Sequence, residues 1–570
     1  MNSKIWAVAV LVLAPTSQVA AQDAGSLLRD RERAEEPDPR ETLEDEQLDV
    51  VADAEGAQVS GPTIAISQLT FDGQSDLLSE EQRADLRQRA EQRELDFAAI
   101  QSLADSATAM LRQNGHLLAR AVIQPQDVTD GELTITIQAG ALEEVRFERS
   151  DRARISPGLI QAIADRGIDP NAVTERGLES ALLRMNDLPA VRARSRLVAG
   201  SQPGTSALVI QVDEEPVFRG AVYGDNFGSP STGEVQGHAQ FALLGAIGIG
   251  DRTSISGSVS DGQRYVSGGF EAPLGASGLS LALDYGYLDY ENIDPVGQAA
   301  GLEGYAHYGS FGLDWQLVRS RRSNVSFFAS ANGKVLVDDS IAGRINDKRI
   351  YSGTLGFVGD VRDDLLGGAI TQVSVSWTYG DLDLSRTPAA EFVDALGLQT
   401  QGGFHRVNVS LIRYQSLTDN LTLLTSASGQ WASKNLDSAE SFSLGGPYGV
   451  RGWPVGEGRG DMGVLATAEL RFDVLGFDLG ELQFSTFIDA GRVQLNEDSL
   501  GVPNFNACGC NSYSLASAGL GLNWRYERFS LSASWAHGLG SNPGRSSVDG
   551  TNVDGETDRQ QFWISGSIRF

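Results

Sequence analysis

From about residue 216 to the C-terminus, apolar and polar residues alternate in short runs and no helical period persists. The last run is the clearest. Phe562, Ile564, Gly566, Ile568 and Phe570 fall on one face, with Trp563, Ser565, Ser567 and Arg569 on the other. Leu482, Phe484, Thr486, Ile488 and Ala490 alternate likewise with Gln483, Ser485, Phe487, Asp489 and Gly491. A period of two predicts β-strands, and the runs reach the roughly 9–11 residues that a tilted strand needs to cross a membrane wall. Short turns (248–252, 273–278, 320–324, 363–368, 416–420 and 525–527) alternate with longer loops (291–304, 381–403, 434–463, 492–511 and 538–559). Counting from Val217 gives sixteen strands, the even number that closure requires. If the first strand rises from the periplasm, every long loop lies outside the cell. A soluble sandwich has no reason for that segregation, whereas an outer-membrane barrel does.

Upstream the pattern changes. Between residues 64 and 212 two similar units follow one another, each predicting a strand, two helices and two strands. In the first, residues 66–71 form the opening strand, 80–90 and 97–114 the helices, and 117–124 and 132–138 the closing strands. In the second the strand is 141–148, the helices 157–166 and 174–186, and the closing strands 191–198 and 206–213. Ile100, Leu103, Ala107, Met110 and Leu111 show the spacing of three and four that marks a helix face. The repetition is an internal duplication.

Charge and composition narrow the class. Residues 22–60 carry thirteen acidic residues against four arginines and read as a solvated linker, with a short helix expected at 24–36 before Pro37 and Pro39. Residues 1–21 have the charged start, short apolar run and small-residue cut site of a secretory signal. A net charge of −30 argues against nucleic acid as a partner. With 65 glycines and 41% hydrophobic residues, the composition suits a barrel in which every second strand residue faces water. The expected organisation is therefore a signal at 1–21, a linker at 22–60, α+β repeats at 61–139 and 140–215, and an all-β, 16-stranded transmembrane β-barrel at 216–570.

Three local features point to a family. The first repeat ends Gly115-His116 and runs on through an exposed strand, Pro125-Gln126 and Gly131-Glu132-Leu133. The long sixth loop holds Gly449-Val450-Arg451-Gly452-Trp453, and a later strand holds Phe487-Ile488-Asp489-Ala490-Gly491. The chain closes on the aromatic Phe570. Together these resemble the two-partner secretion transporters of the haemolysin secretion/activation type, within the superfamily of POTRA-bearing outer-membrane barrels. The family usually has Tyr or Phe at Trp453 and Tyr at His116; both departures keep a flat ring. The resemblance implies that the sixth loop folds back into the barrel, bringing Val450, Arg451, Gly452 and Trp453 to the wall that carries Phe487, Asp489 and Gly491, with Arg451 pairing with Asp489. It also implies a plug helix in the resting pore and a partner that is a large secreted β-helical exoprotein.

Asp489 falls on the lumen face by the alternation of its own strand, where a carboxylate calls for a cation. Partner recognition is expected along the strand edge Leu118, Ala119, Arg120, Ala121, Val122 and Ile123, by addition of a strand to the sheet. Phe570 is expected to be read by the barrel-assembly machinery, and outer-membrane lipids surround the belt. Cys508 and Cys510, two apart in the seventh loop, either close a small disulfide or stay free. The five histidines are scattered, so no metal or cofactor site is expected. Arg459-Gly460-Asp461 spells an adhesion tripeptide, read as chance in a Gly-rich loop. No phosphate loop or Ser-His-Asp set stands out, and the resemblance implies that export draws on the passenger's own folding outside the cell. An insertase for other barrels or a passive porin are the competing functions, although a simple porin has no use for about 150 residues of periplasmic repeat.

Overall fold

The computed structural model describes residues 22–35, 63–116, 118–170, 173–199, 201 and 205–570. The expected secretory signal and the acidic stretch after residue 35 lie outside them. Sixteen antiparallel strands, from Phe218–Asp225 to Gln560–Arg569, close into one barrel. The first strand meets the last from Ala221 opposite Arg569 to Asp225 opposite Ser565. Gly220 and Phe570 extend this seam by exchanging backbone hydrogen bonds of 2.8 and 2.9 Å. The alternation along the strands separates lipid from lumen. Phe562, Ile564 and Ile568 are exposed on the outside while Trp563 is buried within.

The wall is uneven in height. Strands Ser323–Ser340 and Gly343–Asp363 have 18 and 21 residues. At a tilt near 40°, twenty-one residues rise about 50 Å, roughly twice the apolar band of an outer-membrane barrel. The exposed Leu355, Phe357 and Val361 mark that band on the taller strand, and its outer end stands clear of the membrane.

The two N-terminal repeats share one topology. Gln68–Gly73, Glu132–Gln138 and Arg120–Val122 form a sheet with the last-formed strand in the middle, parallel to the first and antiparallel to the second. Ala141–Arg149, Thr205–Glu214 and Val191–Ala199 repeat that arrangement. Helix Phe97–Gln113 starts at Asp96, whose side chain accepts the Ala99 N–H, and buries Ile100, Leu103, Ala107 and Leu111. These pack against Leu133, Ile135 and Ile137, and each such side chain stabilises the repeat by about 1.5–3 kcal/mol.

Two strand expectations are corrected. The strand expected at 66–71 breaks at Ser67, whose N–H bonds to Gly131 O at 2.8 Å. Ile64–Ile66 pairs instead with Arg93–Leu95, as a separate two-stranded sheet. The strand expected at 117–124 shrinks to Arg120–Val122. Leu118 leaves the sheet to join the second repeat's core beside Leu142 and Ile155, and a chain bridging two cores cannot also extend the strand.

The second repeat docks on the short turns of the barrel. Ser156 N–H donates to Gly248 O at 2.8 Å, Arg184 donates to Ser277 O at 3.3 Å and Gln316 O at 3.1 Å, and Arg319 pairs with Asp187 at 2.7 Å. The repeats and the short turns thus share the periplasmic side, and the long loops lie opposite.

Candidate functional site in the barrel lumen

The sixth outer loop turns back into the barrel as a narrow hairpin, in which Phe442–Ser443 pairs with Arg459–Gly460. Backbone bonds of Val450 N–H to Leu444 O (2.7 Å) and Gly446 N–H to Trp453 O (2.9 Å) shape its tip. Leu444, Val450 and Trp453 are buried against Leu465, Val493, Tyr513 and Leu515 of the wall. Small residues allow the approach. A Cβ at Gly491 would strike the Leu444 side chain, and one at Gly452 would lie 2.6 Å from the Gly538 amide nitrogen. The Trp453 indole N–H donates to Ala516 O at 3.1 Å, so the ring is both packed and hydrogen-bonded.

This tip holds Arg451 in the lumen. Its Nε and Nη2 donate to the two oxygens of Asp489 at 3.0 and 2.8 Å, and its backbone N–H to the same carboxylate at 3.2 Å. Nη1 donates to Glu469 at 2.8 Å, and the guanidinium lies 3.2 Å from the Phe487 ring centroid. Asp489 is fully buried and accepts two further bonds, from Thr467 and Ser517 hydroxyls at 3.0 and 3.1 Å. Glu469 is held in turn by Arg471 at 2.8 Å. The Arg451 carbonyl accepts from the Trp563 indole at 2.8 Å, which ties the tip to the last strand, beside the seam. A bidentate arginine with every carboxylate oxygen satisfied is the arrangement that can exist away from water.

A second element fills the outer half of the lumen. Helix Ala24–Glu35 begins where Asp23 accepts the Ser26 N–H at 2.9 Å, and Ala24, Leu27 and Leu28 are buried among Leu288, Tyr290, Leu336, Ile350 and Phe404. Its polar side is held by charge. Lys348 bridges Asp23 of the helix and Asp437 of the sixth loop, both at 2.9 Å. Lys334 bridges Glu32 of the helix at 2.7 Å and Glu440 of the loop at 3.2 Å. Each lysine therefore joins wall, helix and loop. Burial pushes the Glu440 carboxyl up, but Lys334, Arg406 and Arg29 outweigh it and hold it at about 2. Burial also opposes ionisation of Asp23, yet Lys348 keeps it below the usual carboxylate range. Arg459 completes the set with a bidentate contact to Asp30 at 2.8 Å.

Below this assembly the lumen is open. A cavity of about 2040 Å³ is lined by Asp187–Val191 of the second repeat, by Tyr308 and Arg471 of the wall, and by Arg451 above. The plug helix reaches it at Ala34. The barrel is closed on the outer side and hollow towards the periplasm.

The other sequence candidates fall in varied places. Leu118, Ala119 and Ala121 are buried, Val122 and Ile123 are half-buried, and only Arg120 is exposed. Strand addition at 118–123 would therefore rest on the backbone edge and not on the side chains. The Ala121 N–H is moreover taken by Thr108 Oγ1 at 3.0 Å. Strand Val191–Ala199 offers a longer edge, with Arg192, Arg194 and Arg196 exposed, although Asn186 clamps Ala193 by two bonds of 2.7 and 3.1 Å. Phe570 lies on the lipid side against Phe218 and Phe241, with ring centroids 6.1 and 6.0 Å away. Cys508 and Cys510 form a disulfide. Arg459-Gly460-Asp461 is spent internally, since Arg459 holds the plug and Asp461 is buried. Among the described residues no group of three or more His, Cys, Asp or Glu is placed to hold a metal ion.

Asp461 gives a pH test. It accepts N–H groups from Leu436 at 3.1 Å and from Glu497 of the seventh loop at 2.7 Å, and burial raises its carboxyl to about 6. A folded-state pKa above the unfolded value means that the fold binds this proton more tightly. The N–H bonds themselves favour the ionised carboxylate, but burial outweighs them, so the closed arrangement of the two loops is least stable above about pH 6 and gains stability as the pH falls through 6 towards the ordinary carboxylate value. Hydrogen exchange of the Glu497 amide is expected to slow from pH 7.5 to pH 5.5 beyond the intrinsic chemical change, and the Asp461→Asn variant to lose that pH dependence.

The residues that sequence reasoning missed are Lys334, Lys348, Glu469 and the helix-facing acids Asp437 and Glu440. One signal was available. The chain has four lysines among 45 basic residues, so two lysines on neighbouring strands are conspicuous where arginine is the usual choice.

A barrel of sixteen strands, with duplicated periplasmic repeats beneath it and a folded-back loop anchored by Arg451, defines an outer-membrane barrel of the translocating class. A family model described as haemolysin secretion/activation protein ShlB/FhaC/HecB matches residues 204–540, and one for the ShlB-type POTRA domain matches residues 64–140. The chain belongs to the haemolysin secretion/activation family, the outer-membrane transporters of two-partner secretion, with its POTRA repeats in the periplasm. The heme/hemopexin transporter protein HuxB of Haemophilus influenzae (strain 86-028NP) is 25% identical over 479 residues, 83% of this chain and 81% of its own. The outer membrane transporter CdiB of Escherichia coli O6:K15:H31 (strain 536 / UPEC) is 23% identical over 457 residues, 78% of this chain and 75% of its own. The solved structure of CdiB from Escherichia coli superposes with a TM-score of 0.67 at 20% identity, covering 98% of this chain and 99% of that one.

Proposed function

We propose that this chain exports one large secreted β-helical exoprotein, taken in unfolded form from the periplasm and released at the cell surface as it folds. The observation that carries the reading is the division of the lumen. Its inner half is a chamber lined by the second POTRA repeat, and its outer half is closed by a helix and a loop that rest on ion pairs. The helix also buries Ala24, Leu27 and Leu28, but its ion pairs can be exchanged for other charges or water when it leaves. Transport rather than catalysis is the role of the lumen residues. Recognition uses backbone edges in the POTRA repeats, at Arg120–Val122 and along Val191–Ala199, because strand addition suits a long substrate of varied sequence. Val191 lines the chamber, so a segment added along that strand is led towards it. Phe570 serves the barrel-assembly machinery during biogenesis, and lipids bind the outer belt.

Photo-crosslinkers at Arg120 and Arg194 of the full-length chain in cells test this. Both positions are expected to capture a single exported polypeptide, and a crosslinker at the lipid-facing Tyr351 is not. Capture of many different barrel precursors would refute the reading in favour of an insertase.

A further inference from the structure

We propose that the Cys508–Cys510 disulfide at the C-terminal end of the seventh outer loop, just before strand Ser512–Tyr526, is an exchange site for an external thiol. The ring it closes contains one intervening residue, Gly509, which sits at φ +60 with nothing within 4 Å of the place its Cβ would take. Cys508 is exposed and Cys510 half-buried, so one sulfur faces solution on the outside of the cell.

A structural disulfide acts mainly by closing a long loop of the unfolded chain. With a sequence separation of two, this one closes almost none. The backbone around it is also held without sulfur. Asn506 is buried; its side chain accepts the Cys510 N–H at 3.0 Å and donates to Cys510 O at 2.9 Å. Gly509 N–H donates to Asn506 O at 3.0 Å, Ala507 N–H to Arg545 O at 2.8 Å and Cys508 N–H to Pro543 O at 3.2 Å. Opening the S–S bond leaves all five hydrogen bonds in place. A disulfide in an oxidising space, exposed at Cys508 and redundant for the backbone hydrogen bonds around it, has the chemistry of a labile bond rather than a staple. The chain has no other cysteine, so no internal thiol can compete and the attacking group must come from outside.

The step balances without an added oxidant. An external thiolate attacks Cys508 Sγ and forms a mixed disulfide while the Cys508–Cys510 bond breaks. Cys510 leaves as a thiolate and takes a proton from water. Return attack by Cys510 on Cys508 expels the external thiolate and restores the ring. The thiol is either a low-mass compound such as glutathione or a cysteine on a polypeptide at the outer mouth.

The test uses intact cells carrying the full-length chain, treated with millimolar reduced glutathione and then with a membrane-impermeant maleimide. No labelling is expected before glutathione; after it, Cys510 is expected to be labelled while Cys508 carries glutathione, and both to be labelled where a second glutathione removes the first as oxidised glutathione. In the Cys510→Ser variant, which cannot close the ring, treatment with oxidised instead of reduced glutathione is expected to leave Cys508 as a mixed disulfide, its thiolate displacing one glutathione as a thiolate, with no second cysteine to expel the other. In untreated cells of that variant, the Cys508 thiolate can displace one half of an external disulfide; a reductant-sensitive band of higher mass on a non-reducing gel then identifies a protein partner, and a low-mass adduct alone identifies a small one. Labelling without any thiol, or cysteines that open only in denaturant with excess dithiothreitol, would overturn the proposal.

Discussion

Replacing Arg451 by alanine is expected to lower export of the partner by at least tenfold while the barrel still assembles in the outer membrane. The side chain holds Asp489 and Glu469 together, and its loss leaves Asp489 buried with only the Thr467 and Ser517 hydroxyls as side-chain donors, while Glu469 keeps Arg471. Breaking one side of a buried pair costs about 3–5 kcal/mol, enough to loosen the tip of the sixth loop although Leu444, Val450 and Trp453 still pack against the wall. Assembly is spared because the strand pairing of the wall does not pass through Arg451. Lysine is expected to rescue poorly, since an ammonium cannot donate to both Asp489 oxygens and to Glu469 in one plane. Immunoblots of the medium and of heat-modifiable barrel measure both quantities. Normal export by Arg451→Ala would show that the anchor is not part of transport.

The second large effect concerns the plug. Lys334→Met with Lys348→Met is expected to convert a closed barrel into a conducting one in planar bilayers without any partner present. Each lysine joins the helix and the sixth loop to the wall. Methionine keeps most of the packing volume and removes only the charge. Asp23, Glu32, Asp437 and Glu440 then face one another with less compensation; Arg406 still pairs with Glu440 at 2.9 Å. Four acids crowded around a short helix favour its departure, and the apolar contacts of Leu27 and Leu28, worth about 1.5–3 kcal/mol each, oppose it. Arg459 still holds Asp30, so the expected change is a helix loosened at its two lysine bridges and not one set wholly free. Conductance at the level of the wild type would mean that apolar packing and the Arg459 pair suffice to hold the plug.

The barrel was largely legible in the sequence because membrane strands write their two environments directly into alternate residues. Phe562 and Trp563 already show which side is lipid. The Arg451–Asp489 contact was reachable through the family resemblance, and the lumen placement of Asp489 through the alternation of its own strand. Contacts between distant segments left no local trace. Asp23 meets Lys348 across more than three hundred residues, and neither residue's neighbours announce it. The strand expected at 117–124 failed for a related reason. Leu118 reads as an ordinary strand residue, and only the packing of one repeat on the next shows that it belongs to the other core. Loop residues such as Glu440 and Asp461 look solvated in sequence because their cover comes from elsewhere in the fold.

The most direct measurement compares the proteins released and displayed by cells with this chain, without it, and with Arg451→Ala in its place. Loss of one very large exoprotein, restored by the wild type and not by the variant, is the result expected of a dedicated exporter. An unchanged set of exported proteins, with many outer-membrane barrels depleted instead, would contradict it.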